Sequence, residues 1–412
     1  MPIPPRLTSY LLFAGLAIIV ILTAFSASRS QDLPLPQVYP WEKNTGNNAT
    51  NSTNASDPAI PPPRPSQTPC RDPYREPGYL YIPPDKHYSE SFWLPFTPSL
   101  YSAAAPSSAS YPPPDDRPVY FQPSAPEPTF RPPPSLLSSI ISDSERHPDT
   151  PEDPSLSWLR DRRILLIGDS VDRYMTQFFC EEFSTAIKEP ERHTTATCHV
   201  SAFNLTLVHW HFPGSYTTRP DWWWMPSMDT VAFEERWERI WAPTIPSNFG
   251  ARSPDLILFQ SGLWDQRVLW EAGAADDTTL ASPERQMVWE EVRFVMSRMK
   301  KMVSLVKREF GEDAPLMYRA VTTHRNSDVK DASIYEIERI GRFVAQMERL
   351  EVFEWGRIMT AMGMLYMDKT HLAKGPASWL WAEMLMTYTK RSVVDGWGKC
   401  HVDYLRYGWG GR

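Results

Sequence analysis

The chain of 412 residues carries 42 Lys and Arg against 49 Asp and Glu, a formal net charge of −7, and no stretch dense in basic side chains. That balance argues against a surface built to neutralise phosphates, so no nucleic-acid partner is expected. Proline divides the chain: 29 of the 42 lie in residues 31–154, while 15 of the 17 tryptophans lie in residues 155–412, so only the second segment has the apolar surface to offset its ordering entropy.

In chain order, residues 10–27 form an uncharged apolar run of 18 residues flanked by Arg6 and Arg29. At a rise of about 1.5 Å per residue this spans roughly 27 Å, close to the hydrocarbon thickness of a bilayer. The reading is a short cytoplasmic tail (1–6), a single type II transmembrane signal-anchor (7–28) and a lumenal remainder. A cleaved signal peptide, with small residues at 24–27, is the competing reading and leads to the same compartment. Residues 29–154 read as a Pro/Ser/Thr-rich stalk, glycosylated at Asn48, Asn51 and Asn54; a fourth sequon, Asn204, lies further on. Four cysteines in an oxidising compartment are expected to pair, Cys180 with Cys198 and Cys70 with Cys400. The second pair, and the aromatic clusters at 92–96 and 119–121, lead us to expect the stalk beyond residue 70 to wrap the domain in part.

Residues 155–412 read as one domain. Ile164-Leu165-Leu166-Ile167 is a short continuous apolar run of the kind found in buried parallel strands, and 171–183 reads as a helix behind it. Two strand-like pieces lie within 197–212, followed by a buried strand at 255–260 and a long helix from Pro283 to about Phe310. A strand at 316–321, a helix at 332–350 and a last short strand at 351–355 complete the alternation. This predicts an α/β fold: a three-layer α/β/α sandwich around a central parallel sheet.

Ligands of such sheets bind beyond the carboxyl ends of the strands. There the first strand delivers Gly168-Asp169-Ser170, with Ser170 opening a helix whose N–H groups face a developing oxyanion. The plainer reading makes Ser170 a helix cap. Near the C-terminus, Asp368-Lys369-Thr370-His371 sets a carboxylate and an imidazole three residues apart, so the Asp can orient the ring while its other nitrogen meets a serine. The plainer reading makes Asp368 the cap of the next helix. His209 and His211 share a strand face near His199, but no third ligand is convincingly spaced and no metal is expected. Trp222, Trp223 and Trp224 offer either sugar stacking or packing.

Taken together, Gly168-Asp169-Ser170 with Arg173 three residues later, and Asp368-x-x-His371 followed by Gly375-Pro376 and Trp381-Ala382-Glu383, resemble the SGNH/GDSL hydrolases. The match is closest to the PC-esterase branch, with its trichome-birefringence-like polysaccharide O-acetyltransferases. The resemblance implies an SGNH-like catalytic domain with Ser170 as nucleophile, His371 as base and Asp368 as orienter. Trp264 stands where these enzymes carry an oxyanion-hole Asn, which leaves the Ser170 N–H with Gly262 or Gly214 as donors. Tyr174 stands where plant relatives have Asn. Arg319, in a middle block with His324, either holds a substrate carboxylate or braces a loop.

The expected function is serine-dependent O-acyl transfer or ester hydrolysis, with acetyl as the acyl group, on a glycan or glycoconjugate in the secretory pathway, in the Golgi membrane. No bound cofactor is implied. A transferase would need a lumenal acyl donor or a multi-span partner, because one anchor provides no route for cytosolic acetyl-CoA. The alternatives are a non-catalytic glycan-binding protein on the same fold and a type II glycosyltransferase; the latter lacks any Asp-x-Asp motif here.

Overall fold

A strand with no polar residue to turn toward solvent is stable only when both its faces are covered. The computed structural model, which describes residues 72–83, 87–95, 135–148, 152–215, 232–275, 286–325, 332–360 and 362–397, meets that requirement with a mixed α/β architecture. In chain order its main elements are β1 (Gly78–Tyr81), β2 (Phe92–Pro95), α1 (Leu136–Arg146), β3 (Arg163–Gly168), α2 (Ser170–Glu182), β4 (Thr195–Val200) and β5 (Leu205–His211). They continue as β6 (Leu256–Phe259), α3 (Leu263–Ala275), α4 (Trp289–Phe310), β7 (Leu316–Arg319), α5 (Ala332–Met347), β8 (Glu351–Phe353) and α6 (Pro376–Lys390).

The central sheet has six strands in the order β4-β5-β3-β6-β7-β8. Strands β5, β6, β7 and β8 are buried along their whole length. Helices α1, α2 and α6 pack as one group, and α3, α4 and α5 as another. The first strand of the domain, β3, pairs in parallel with β5 on one side and β6 on the other. The strand order therefore reverses at β3, and the crevice beyond its carboxyl end is where such sheets take ligands.

One expectation is corrected. The sheet is not wholly parallel, because β4 runs antiparallel to β5 at its edge. Only residues 201–204 join the two strands, with Asn204 left-handed at φ 48°. A connection that short closes a hairpin; a parallel pair needs a crossover of about a dozen residues or more. Helix α3 had no counterpart in the sequence reading, and α4 begins at Trp289, where the Glu291 carboxylate accepts the Val288 N–H.

Two pieces of the proline-rich segment belong to the structured part. Tyr388 donates its hydroxyl to Asp72, Tyr88 donates to Glu182, and Leu137 and Ile140 of α1 are fully buried. Cys180 and Cys198 form a disulfide that ties the end of α2 to β4. The anchor, the sequons at Asn48, Asn51 and Asn54, the Cys70–Cys400 pairing and the tryptophans at 222–224 all lie outside the described residues. Among the described residues no helix is long and apolar enough to cross a membrane.

Candidate active site

Strand β3 ends at Gly168, and the chain turns at once into α2. Its N-cap is Asp169, not Ser170: the Asp169 carboxylate accepts the Val171 N–H at 2.9 Å. Capping is thus done one residue earlier, and the Ser170 hydroxyl is left for another partner. The turn is held from below. His209, fully buried on β5, donates its Nε2–H to the carbonyls of both Gly168 and Asp169, each at 3.1 Å. Burial lowers the His209 pKa to about 4, with the Gly168 carbonyl opposing, so the ring is neutral and keeps the single proton this contact needs.

Gly168 is a glycine for a steric reason: a Cβ there would lie 2.0 Å from Oδ2 of Asp172. Asp172 in turn pairs with Arg319 at the end of β7, with Nε 2.6 Å from Oδ1 and Nη2 donating to Oδ2 at 2.8 Å. Arg319 is only 1% exposed, and through this pair it braces the turn from within the core.

The partner of Ser170 comes from the other end of the chain. Ser170 Oγ lies 2.8 Å from Nε2 of His371, and His371 Nδ1 lies 2.8 Å from Oδ2 of Asp368. An ionised carboxylate only accepts, so Nδ1 carries the ring proton and Nε2 accepts from the Ser170 hydroxyl. The other Asp368 oxygen accepts the N–H groups of Thr370 and His371, both at 2.7 Å. Burial raises the Asp368 pKa, but those bonds, led by the His371 ring, outweigh it and leave the carboxyl below its ordinary 3.8. The ring of Tyr174, one turn along α2, packs edge-on against His371 with centroids 4.8 Å apart. Thr370 donates its hydroxyl to His324, whose Nε2–H is 2.8 Å from the Gln266 amide oxygen.

These side chains open on a cleft of about 450 Å³ that also takes in Arg173, Trp264 and Arg267. Arg173 is held by Glu189 through Nε at 2.9 Å and Nη2 at 2.5 Å. The two glycines expected as oxyanion donors, Gly214 and Gly262, are both positions where a side chain has no room. A Cβ on Gly214, which sits at φ +123°, would lie 2.5 Å from Oδ1 of Asp265, and one on Gly262 would lie 2.7 Å from Val321. Both are glycines because neighbours press on them, which sequence alone cannot distinguish from a catalytic need for a bare backbone. Asn204 is exposed, with its side-chain amide donating to Asp161. His199 contacts Thr206 and stands apart from His209 and His211, whose ring centroids are 6.0 Å apart. Among the described residues no group of three or more His, Cys, Asp or Glu could hold a metal ion. The contributions of Tyr174 and the His324–Gln266 pair went unforeseen, although His324 stood in the block noted around Arg319.

No family model matches the sequence, and no curated protein does. Among solved structures, the chain is similar to a protein described as a GDSL-like lipase from Parabacteroides merdae, at 13% identity and a TM-score of 0.33 over 56% of this chain and 96% of that one. An acetylxylan esterase from Geobacillus stearothermophilus is similar at 10% identity and a TM-score of 0.32, over 57% and 95%. A lipase/acylhydrolase from Enterococcus faecalis is similar at 13% identity and a TM-score of 0.30, over 56% and 96%. The likeness is distant and carries no residue role across to this chain.

Proposed function

We propose that this protein is a serine-dependent O-acyl esterase or O-acyltransferase. The observation that carries the reading is the unbroken chain from Ser170 Oγ through His371 to Asp368, with 2.8 Å at each step, at the switch point of a mostly parallel sheet. Ser170 attacks the carbonyl carbon of an acyl ester as its proton passes to His371 Nε2. Asp368 holds the ring in the reactive tautomer and stabilises the imidazolium. Negative charge developing on the carbonyl oxygen meets the N–H groups at the start of α2. Collapse breaks the ester C–O bond, and His371 returns the proton to the departing alkoxide. A water or a sugar hydroxyl then attacks the acyl-enzyme, giving up its proton to His371, and Ser170 is released.

The acyl group in this proposal is acetyl and the alcohol is a hydroxyl of a glycan, on a membrane-anchored protein working in the lumen of the secretory pathway, in the Golgi. What supports this is the acyl-transfer constellation together with the apolar run at 10–27 and the sequons beyond it. Acting as a transferase, it takes its acyl group from a lumenal donor or a multi-span partner. The test is release of acetate from acetylated oligosaccharides and from 4-nitrophenyl acetate by the full-length chain. Turnover that disappears in Ser170→Ala is expected; turnover unchanged in that variant would remove the proposal.

A further inference from the structure

Asp368 is 52% exposed, on a loop that runs from the short turn ending at Leu365 to the start of α6 at Pro376. An exposed ion pair does little to fix its own geometry, so the loop has to be held by other contacts. Within the loop, the Met367 N–H donates to the His371 carbonyl at 2.9 Å and the Ala373 N–H to the Leu365 carbonyl at 2.8 Å. Those bonds shape the loop without tying it to the sheet. The ties come from Thr323, His324 and Arg325, just beyond the carboxyl end of β7. The Tyr366 hydroxyl donates to the Thr323 carbonyl at 2.7 Å, and the Arg325 N–H donates to the Lys369 carbonyl at 2.9 Å. Gly363, ahead of the loop, approaches the same segment so closely that a Cβ would lie 2.9 Å from the Arg325 carbonyl oxygen.

The remaining tie joins two side chains. Thr370 Oγ1 lies 3.2 Å from His324 Nδ1, and His324 Nε2 lies 2.8 Å from Gln266 Oε1 on α3. An amide oxygen only accepts, so Nε2 carries the proton and Nδ1 accepts from the Thr370 hydroxyl. The N–H of the same Thr370 is taken by Asp368 Oδ1 at 2.7 Å. His324 thus links the loop that carries Asp368 and His371 to a helix that also lines the cleft.

We propose that His324 is a positioning residue for the ester chemistry: through Thr370 it sets where Asp368 and His371 stand relative to Ser170. This deepens the reading above and rests on it for the reaction that is positioned. Displacing a catalytic group by about 1 Å can cost about 100-fold in rate, so a loop with this much exposure gains from a fixed tie. Of the ties described, only this one is made by side chains at both ends, so it can be removed and restored without altering the backbone.

The experiment breaks and restores that bond in the full-length chain. Thr370→Val keeps the shape of the side chain and loses the hydroxyl, whereas Thr370→Ser keeps the hydroxyl. His324→Asn keeps an acceptor near the place of Nδ1; His324→Gln puts its amide near Nε2 and leaves Thr370 without that acceptor. Two readouts are taken: steady-state hydrolysis of 4-nitrophenyl acetate, and hydrogen exchange of the backbone amides of the loop, which needs no turnover. Thr370→Val and His324→Gln are each expected to lower kcat by about 10- to 100-fold while KM changes by less than about twofold. Both are expected to speed exchange in the loop while β3 and β6 stay protected. Combining them is expected to cost no more than the worse single variant, because both remove one bond. Thr370→Ser and His324→Asn are expected to recover most of the lost rate and protection. A rise in KM at unchanged kcat would overturn the proposal by making His324 a substrate contact. Equal losses in His324→Asn and His324→Gln would overturn it too, by showing that the acceptor atom is not what matters. Thr370 is only half-buried, so its two variants decide the question even where those of His324 fold badly: Val as active as Ser overturns the proposal. A loop that loosens as expected, in a wild type that hydrolyses no ester, would keep the tie and remove the catalytic reading.

Discussion

The Ser170 hydroxyl is left to His371 because Asp169 does the capping that a serine at a helix start would otherwise do. The same economy recurs around it: Gly168 leaves room for Asp172, Asp172 holds Arg319, and the turn that presents Ser170 rests on that pair. Gly168→Ala is therefore expected to destabilise the fold by about 2–4 kcal/mol, because the buried carboxylate has to move away from its arginine, and chemical denaturation measures it. Asp368→Asn is expected to leave stability nearly unchanged, since Asp368 is 52% exposed, while lowering kcat by about 10³–10⁴-fold through the wrong ring tautomer. A loss of less than about tenfold on a model ester would show that Asp368 does not orient His371. At this scale the hydrogen-bonded chain of Ser170, His371 and Asp368 was legible, because a serine at a strand end and an Asp-x-x-His turn are local patterns. The packing around the two glycines was not. Gly214 and Gly262 answer to Asp265 and Val321, neighbours that only the folded chain supplies.

At the scale of elements, α1 depends on a residue far away in sequence. Glu383 of α6 accepts the N–H groups of Leu136 and Leu137 at 2.9 and 2.8 Å, and the Ser135 hydroxyl at 2.6 Å. One carboxylate thus satisfies backbone donors that the start of a helix leaves open, with the favourable charge for that end. The sequence reading placed Glu383 inside a family-like block without a role, and helix α1 inside a stalk. Composition averaged over a proline-rich segment hides an 11-residue helix whose apolar face is buried elsewhere. Glu383→Ala is expected to cost about 2–3 kcal/mol and to make residues 135–148 open to protease while the central sheet stays protected. Uniform loss of protection across the chain would instead mean that α1 and the sheet unfold as one unit. The buried strands were legible from their apolar runs, whereas the direction of β4 was set by a loop too short to cross over, and α3 carried too weak a stripe to be read.

For the whole molecule, three histidines gathered near the turn that presents Ser170 make stability depend on pH. Burial lowers the pKa of His209 to about 4 and, helped by Arg192, that of His193 to about 4; burial also takes His211 well below its ordinary 6.5. The unfolded chain binds these protons from about pH 6.5 downward and the folded chain does not, so between pH 6.5 and about 4 the unfolded state holds more protons and stability falls as the pH falls. His209 alone contributes about 3 kcal/mol to that slope. Above pH 6.5 the contribution of all three is fully present. Asp368 works in a lower window: with its pKa held below 3.8, the stability gained from ionising it is present above 3.8 and lost only beneath that. Thermal unfolding followed from pH 7 to pH 4 is expected to show this decline, and His209→Gln to flatten it. A wild-type profile flat across that range would show that the three rings protonate freely in the folded state.

Everything proposed for this protein depends on Ser170 being an activated nucleophile. The most direct test is labelling of the full-length chain with a fluorophosphonate, comparing wild type with Ser170→Ala and His371→Ala. The expected result is covalent modification at Ser170 in the wild type and its loss in both variants. A folded wild type that stays unlabelled, or labelling that persists in Ser170→Ala, would mean that Ser170 is not an activated nucleophile.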